Sequence, residues 1–287
     1  MSRIAHISDV HFGAHDPAIV AGVEAWVLAK RPDLVIISGD FTQRARERQF
    51  REAGAFVNRL RAADLPVMVI PGNHDIPLYD VARRFLAPLE RYKRYISDDL
   101  SPWYETDELA ILGLNTARSL TTSHGRINHE QMALIRRRFA DVPEHKTRIL
   151  VTHHPLFAMP IGEAGELTRT VGRHEGAIEA VCRAGVHICL AGHFHRTFAE
   201  AASKMAERAG RALVIQAGTA TSTRIRADEP QSFNWLHARA NNTLDLQVVA
   251  WNGREFTGRD EIRYLHDGEL WQRRPIPVEA KSEALEG

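Results

Sequence analysis

The run Val67-Met68-Val69-Ile70 stops at Pro71-Gly72 and passes at once into Asn73-His74-Asp75. Four apolar residues broken by Pro-Gly read as a short buried strand turning into a loop at its carboxyl end. That loop offers an amide, an imidazole and a carboxylate in succession, each able to meet a metal ion or a phosphoryl oxygen. The pattern recurs at Asp9-Val10-His11, Gly39-Asp40, His153-His154 and Gly192-His193-Phe194-His195, each behind an apolar run. Packing alone would place apolar residues at such strand ends, because bare polar groups are costly to bury. A chain that ends five strands in metal-ligand residues is therefore constrained to an α/β arrangement. Such folds gather their sites in the loops beyond the carboxyl ends of their strands.

Helical patterns alternate with the first runs. Pro17 opens a helix, and Ile19, Val20, Val23, Trp26 and Val27 keep helical spacing to about Lys30. A second helix is expected over 44–62, with Phe50, Val57 and Leu60 on one face. Its arginines (Arg44, Arg46, Arg48, Arg51, Arg59, Arg61) interleave with Glu47 and Glu52, the pattern of a solvated face; a phosphate or nucleic-acid surface is the alternative. Residues 77–105 break the rhythm, with a helix expected near 81–89 and then a loop carrying Tyr92, Tyr95, Trp103 and Tyr104. The segment is either a packing excursion or a cap-like wall over the site. Beyond it come a strand over 109–114, a loop over 115–127, and a helix from 129 capped by Asn128 with Gln131 in a capping box. A strand over 147–152, a loop over 155–171, a helix over 176–184 and a strand over 186–190 complete the first pattern. Later runs at 213–216, 232–238 and 244–251, with turns at Ala240-Asn241-Asn242 and Asn252-Gly253, predict antiparallel strands packed on the first sheet. One domain over 1–274 and a frayed tail over 275–287 are expected.

Composition adds limits. A chain of 287 residues can bury a sizeable core. The formal charge of +1 gives no general case for nucleic-acid binding. Cys182 and Cys189 form neither a CxxC motif nor a disulfide framework, so a reducing cytoplasm is expected. No run approaches the roughly 18 apolar residues of a spanning helix. Histidine is the outlier at 15 residues; His6, His124, His129, His145, His187 and His237 fall outside the five clusters and read as hydrogen-bonded structural residues.

Taken in order, Asp9-x-His11, Gly39-Asp40, Gly72-Asn73-His74-Asp75, His153-His154-Pro155 and Gly192-His193-x-His195 resemble the motif set of the calcineurin-like metallophosphoesterases. The resemblance covers roughly residues 4–220. The His-His-Pro form and the length are similar to the bacterial class III cyclic-nucleotide and glycerophosphodiester phosphodiesterases. The resemblance implies a four-layer α-β-β-α sandwich of two mixed sheets flanked by helices. It implies a first metal on Asp9, His11, Asp40 and His195, and a second on Asp40, Asn73, His153 and His193, with Asp40 bridging. It also implies attack on a phosphodiester by a hydroxide shared by the two ions. A bridging carboxylate is what two ions about 3.5–4 Å apart require. Nitrogen and oxygen ligands without thiolate suit Mn, Fe, Zn or Co and do not choose among them.

His74 is then expected beside the leaving oxygen, with Asp75 orienting it or a neighbouring loop. His154 and Asn115 are expected near the substrate. The partner is a small-molecule phosphoester; the oligomeric state is left open. The alternatives are a pyrophosphatase of a nucleotide-linked lipid or sugar, as in the UDP-diacylglucosamine hydrolases, and a catalytically silent scaffold. For the first, Leu156, Phe157, Met159 and Ile161 would line an acyl groove or else belong to the core. Against the second stands a ligand set with no member missing.

Overall fold

The computed structural model describes residues 1–275 apart from 122, 162–165, 169, 206–210, 226–228 and 240–242. The expected turn at 240–242 and the tail over 276–287 lie outside the described residues. In chain order the first elements are β1 (Ser2–Ile7), α1 (Pro17–Lys30), β2 (Leu34–Ser38), α2 (Glu47–Ala62) and β3 (Val67–Ile70). There follow α3 (Val81–Leu86), α4 (Glu90–Tyr95), β4 (Trp103–Glu105), β5 (Leu109–Leu114), α5 (His129–Ala140) and β6 (Thr147–Thr152). Next come the short β7 (Pro160–Ile161) and β8 (Glu166–Leu167), α6 (His174–Arg183), β9 (Ile188–Ala191), β10 (Phe198–Ala201) and β11 (Leu213–Gln216). The last are β12 (Ser232–Arg239), β13 (Thr243–Trp251), β14 (Phe256–His266) and β15 (Trp271–Arg274).

Two mixed sheets form, ordered β15-β14-β13-β12-β1-β2-β3 and β10-β11-β9-β6-β5-β4. Within them β1, β2 and β3 are parallel, as are β5, β6, β9 and β11, and the other members pair antiparallel. The strand period of two divides each apolar run between two cores. Ala5, Ile7, Val35, Ile37 and Val69 pack with α1 and α2, whereas Ile4, Leu34, Ile36, Met68 and Ile70 pack against the other sheet. In the second sheet Leu112, Leu114, Leu150 and Val214 face α5 and α6, and Ile111, Ile149, Leu190 and Ile215 face the first sheet. The four-layer sandwich is the result.

Local chemistry sets the helix ends. Asp16 accepts from the Ala18 amide at the start of α1, ahead of Pro17. Asn128 and Gln131 form the capping box of α5. The second helix begins at Glu47, three residues later than expected. The Gln49 side chain accepts from the amides of Arg44 and Arg46, and Ala45 adopts φ 50°, a left-handed geometry that a helix cannot pass through. Arg46, Arg48, Arg51, Arg59 and Arg61 are exposed, with Arg51 on Glu47, Arg48 near Glu52 and Arg59 on Glu24, so they form a solvated face. The expected loop after 89 instead holds a helix and a strand: Tyr92 and Tyr95 lie on α4, with Tyr92 fully buried against Phe41, and Trp103 and Tyr104 lie on β4.

The sequence left β4, β7, β8, β10, β14 and β15 unread, and the run at 213–216, expected antiparallel on the first sheet, is β11, parallel to β9 in the second sheet. The mixed polar and apolar order of β14, Phe-Thr-Gly-Arg-Asp-Glu-Ile-Arg-Tyr-Leu-His, carries no continuous apolar run. Its strand character comes from pairing with β13 and β15. No helix among the described residues is long and apolar enough to cross a membrane.

Candidate metal centre

The carboxyl ends of β1, β2, β3, β6 and β9 run into the five polar clusters, and sheet stacking brings all five loops together. Asp9, His11, Asp40, His193 and His195 all have positive φ, between 47° and 84°. Side chains with Cβ pay for that conformation, which gathers at functional sites where the surroundings over-determine it. Here tight turns at the strand ends aim several ligand-type side chains from two or three consecutive residues into one space.

Asp9, His11 and His195 place donor atoms within 4.8 Å of one another, and so do Asp9, Asp40 and His153, and His153, His154 and His193. The Nε2 atoms of His11 and His195 are 3.0 Å apart, and His195 Nε2 is 3.2 Å from Asp9 Oδ1. On the other side His153 Nε2 lies 3.1 Å from Asn73 Oδ1 and 3.3 Å from Asp40 Oδ2. Backbone partners orient the rings. His153 Nδ1 donates to the Ser38 carbonyl at 2.8 Å and His195 Nδ1 to the Arg224 carbonyl at 3.2 Å, so Nε2 of each faces the cluster. Asp9 is held by Oδ2, which accepts from Ser8 Oγ and the His193 amide, while its buried Oδ1 has no hydrogen-bond partner among the described residues. An orphaned carboxylate oxygen ringed by imidazoles fits a cation. The donor set contains no thiolate and fits divalent Mn, Fe, Zn or Co.

The electrostatics agree. Burial alone would raise the Asp9 carboxyl, but His195, His11 and His153 outweigh it and hold it well below the usual range. Burial likewise opposes Asp40, and His153, His74 and His11 pull it down. Burial lowers His153, yet the Asp40 and Asp9 charges carry it up to about 9. A metal bound there must displace that proton. Burial takes His193 down to about 3 and His154 well below its ordinary value, leaving both neutral and able to donate a lone pair.

Among the described residues Asp75 makes no hydrogen bond to the His74 ring. Its carboxylate accepts from the amides of Phe41, Thr42 and Gly72 and from Thr42 Oγ1, tying the loop after β2 to the loop after β3. Burial and the Asp40 charge push it up to about 7. His74 is oriented by Gln43, whose carbonyl accepts from His74 Nδ1 at 2.9 Å, and its ring stands edge-on to His11 at 4.9 Å. His154 has Nδ1 2.8 Å from Thr116 Oγ1 and a buried Nε2 with no hydrogen-bond partner among the described residues. Its ring is 4.6 Å from that of His193. Asn115, at the end of β5, is buried and uses Oδ1 to accept from the Ala117 amide. Leu156 and Phe157 sit in the core beneath α5 and α6 and Met159 is buried, so packing accounts for them; the Ile161 side chain lies outside the described residues.

Sequence reasoning missed Gln43, Thr116 and Arg84. None belongs to the five ligand clusters, and only the fold shows their contacts with the site. It read Gly72 only as a strand break and a motif residue. A Cβ on Gly72 would lie 2.1 Å from Asp40 Oδ1 and 2.3 Å from the Asp40 amide nitrogen. Gly72→Ala is therefore expected to destabilise the protein by about 1–3 kcal/mol through overpacking and to lose metal. Thermal unfolding with and without a chelator checks this: the fall in Tm that chelation causes in the unmodified protein should shrink or vanish. A variant with undiminished metal content would show that the contact is unimportant.

The sandwich and its histidine–carboxylate pocket define the metallophosphoesterase class. The sequence profile of the calcineurin-like phosphoesterases matches residues 2–197, and the chain belongs to that family. It is 27% identical over 207 residues to the 3',5'-cyclic adenosine monophosphate phosphodiesterase CpdA of Escherichia coli strain K12, covering 68% of this chain and 70% of that one. It is also 27% identical over 173 residues to the glycerophosphodiester phosphodiesterase GpdQ of Enterobacter lignolyticus strain SCF1, covering 56% of this chain and 59% of the relative. Among solved structures, a purple acid phosphatase from yellow lupin shares the fold, with a TM-score of 0.69 at 15% identity over 91% of this chain. This chain spans about half of that plant enzyme, 53% of its length.

Proposed function

We propose that this protein is a two-metal phosphodiesterase acting on a small molecule in the cytoplasm, with residues 1–274 as one catalytic domain. One observation carries the reading. Asp40 Oδ2 lies 3.7 Å from His11 Nε2 and 3.3 Å from His153 Nε2, so a single carboxylate oxygen faces both ligand groups. Asp9, His11, Asp40 and His195 would hold one ion, and Asp40, Asn73, His153 and His193 the other. When bound, such a pair polarises phosphoryl oxygens and activates water for attack at phosphorus.

The protein's own residues do the rest. Asp75 holds the loops after β2 and β3 in register, which keeps Asp40 and Asn73 pointing into one space. His74 spends Nδ1 on the Gln43 carbonyl, leaving Nε2 to donate a proton to the departing oxygen. His154 stands beside His193, where it meets a phosphoryl oxygen or assists the second ligand group. A diester is the favoured class because both curated relatives above are named as diesterases. Cyclic nucleotides and glycerophosphodiesters are the first candidates.

The test is a phosphoester panel assayed with Mn, Zn and Fe(II). It holds cyclic nucleotides, glycerophosphodiesters, nucleotide-diphosphate lipids, monoesters and DNA. Diesters are expected to show the highest kcat/KM. Faster turnover of matched monoesters would overturn the diester assignment, and no turnover with any metal would favour the silent scaffold.

A further inference from the structure

A small cleft opens beside Asn73 and His74, lined by Gln43, Arg44, Ile76, Leu78 and Arg84. Arg84 is the unusual wall. It lies on α3, whose sequence is Val-Ala-Arg-Arg-Phe-Leu. That short helix buries its second arginine to 7% exposure while leaving Phe85 54% and Leu86 86% exposed. Packing driven by apolar burial would do the reverse. Its guanidinium donates Nη1 to the Pro77 carbonyl at 2.9 Å and Nη2 to the Thr121 carbonyl at 2.6 Å. Those carbonyls fix its position and do not neutralise its charge. Among the described residues no carboxylate lies within ion-pair distance of Arg84 or of Arg44. Arg44 instead lies over the Tyr79 ring at 5.5 Å. A buried cation without a counter-charge is costly, and an anion arriving in the cleft would offset that cost. Gln43, 7% exposed, carries a second unspent group: its buried Oε1 has no hydrogen-bond partner among the described residues.

We propose that this cleft is a leaving-group subsite for an anion, with Arg84 and Arg44 taking a carboxylate or phosphate and Gln43 Oε1 accepting from a neighbouring hydroxyl. The favoured substrate would then be a diester whose leaving alcohol bears its own negative charge. This rests on the proposed role of His74, because the cleft receives the leaving group only if His74 protonates it.

The probe is a pair of methyl aryl phosphodiesters whose leaving phenols carry a meta carboxylate or a meta carboxamide. Each variant's preference is divided by that of the unmodified protein, so intrinsic leaving-group reactivity cancels. A charge-assisted contact corresponds to about 10–100-fold. Arg84→Gln is expected to cut kcat/KM for the carboxylate ester by that factor, mostly through KM, and to leave the carboxamide ester within a few-fold. Arg44→Gln, which breaks neither loop contact, should show the same sense at smaller size. Equal losses on both esters would make Arg84 a loop clamp only and overturn the subsite. Calorimetry of 3-hydroxybenzoate against 3-hydroxybenzamide, on metal-loaded protein and the same variants, decides the matter independently of turnover. Tighter carboxylate binding lost in Arg84→Gln supports the subsite even if the diester reading fails. No carboxylate preference in the unmodified protein rejects it even if diesters are hydrolysed.

Discussion

Asp40→Asn is expected to lower metal content at both ligand groups together and to reduce turnover nearly to background. The reason lies in the two oxygens of one side chain. Asp40 Oδ1 accepts from the His74 amide at 2.8 Å, and Oδ2 faces His11 and His153. Asparagine can keep its carbonyl on the His74 amide, so the loop should survive. Its NH₂ then occupies the place of Oδ2, where it presents hydrogens and no charge. Removing a partner that only orients a ligand costs about 10–100-fold in metal affinity or activity, and losing a bridging ligand should cost more. His11→Ala is the control, because it touches the first group alone and should leave the second largely filled. Elemental analysis on matched samples reads both. An Asp40→Asn protein holding two tight ions with most of its activity would show that Asp40 does not bridge.

His74→Ala should behave differently, keeping its metal and losing rate unequally among substrates. The ring is placed by the Gln43 carbonyl and stands beside His11. It can therefore protonate a departing oxygen without being a ligand. A histidine general acid contributes about 10²–10⁴-fold, and this help matters most when the leaving group is a poor anion. Diesters with ribose or glycerol leaving groups should lose close to that full factor, and nitrophenyl diesters much less. If His74 merely props the His11 ring, both substrates will slow by the same factor and metal content will fall with activity. Measuring kcat/KM for the two leaving groups with metal content on the same preparations separates these outcomes.

Much of the site was legible because its signal is local. An apolar run followed within two residues by Asp, Asn or His is visible without knowing where the chain goes next, and five such breaks identify the loops. The helix cap at Asn128 is equally local. The start of α2 was not, since it depends on Gln49 turning back to the Arg44 and Arg46 amides. Nor were β14 and β15, whose residues become strands only through pairing, β14 with β13 and β15 with β14.

The sequence by itself determined which residues end the strands, the alternation of strand and helix in the first half, and the supply of nitrogen and oxygen ligands without thiolate. Tertiary structure alone decided which of these side chains meet. Asp9 and His195, far apart in the sequence, are brought to 3.2 Å only because β1 and β9 belong to stacked sheets whose carboxyl ends share one side. It also gave Asp75 its task of binding two loops, turned His154 toward His193, and buried Arg84 while exposing its apolar neighbours. Periodicity reports on residues within a turn or a strand of each other. Charge compensation, ring orientation and cleft shape depend on what arrives from the other sheet.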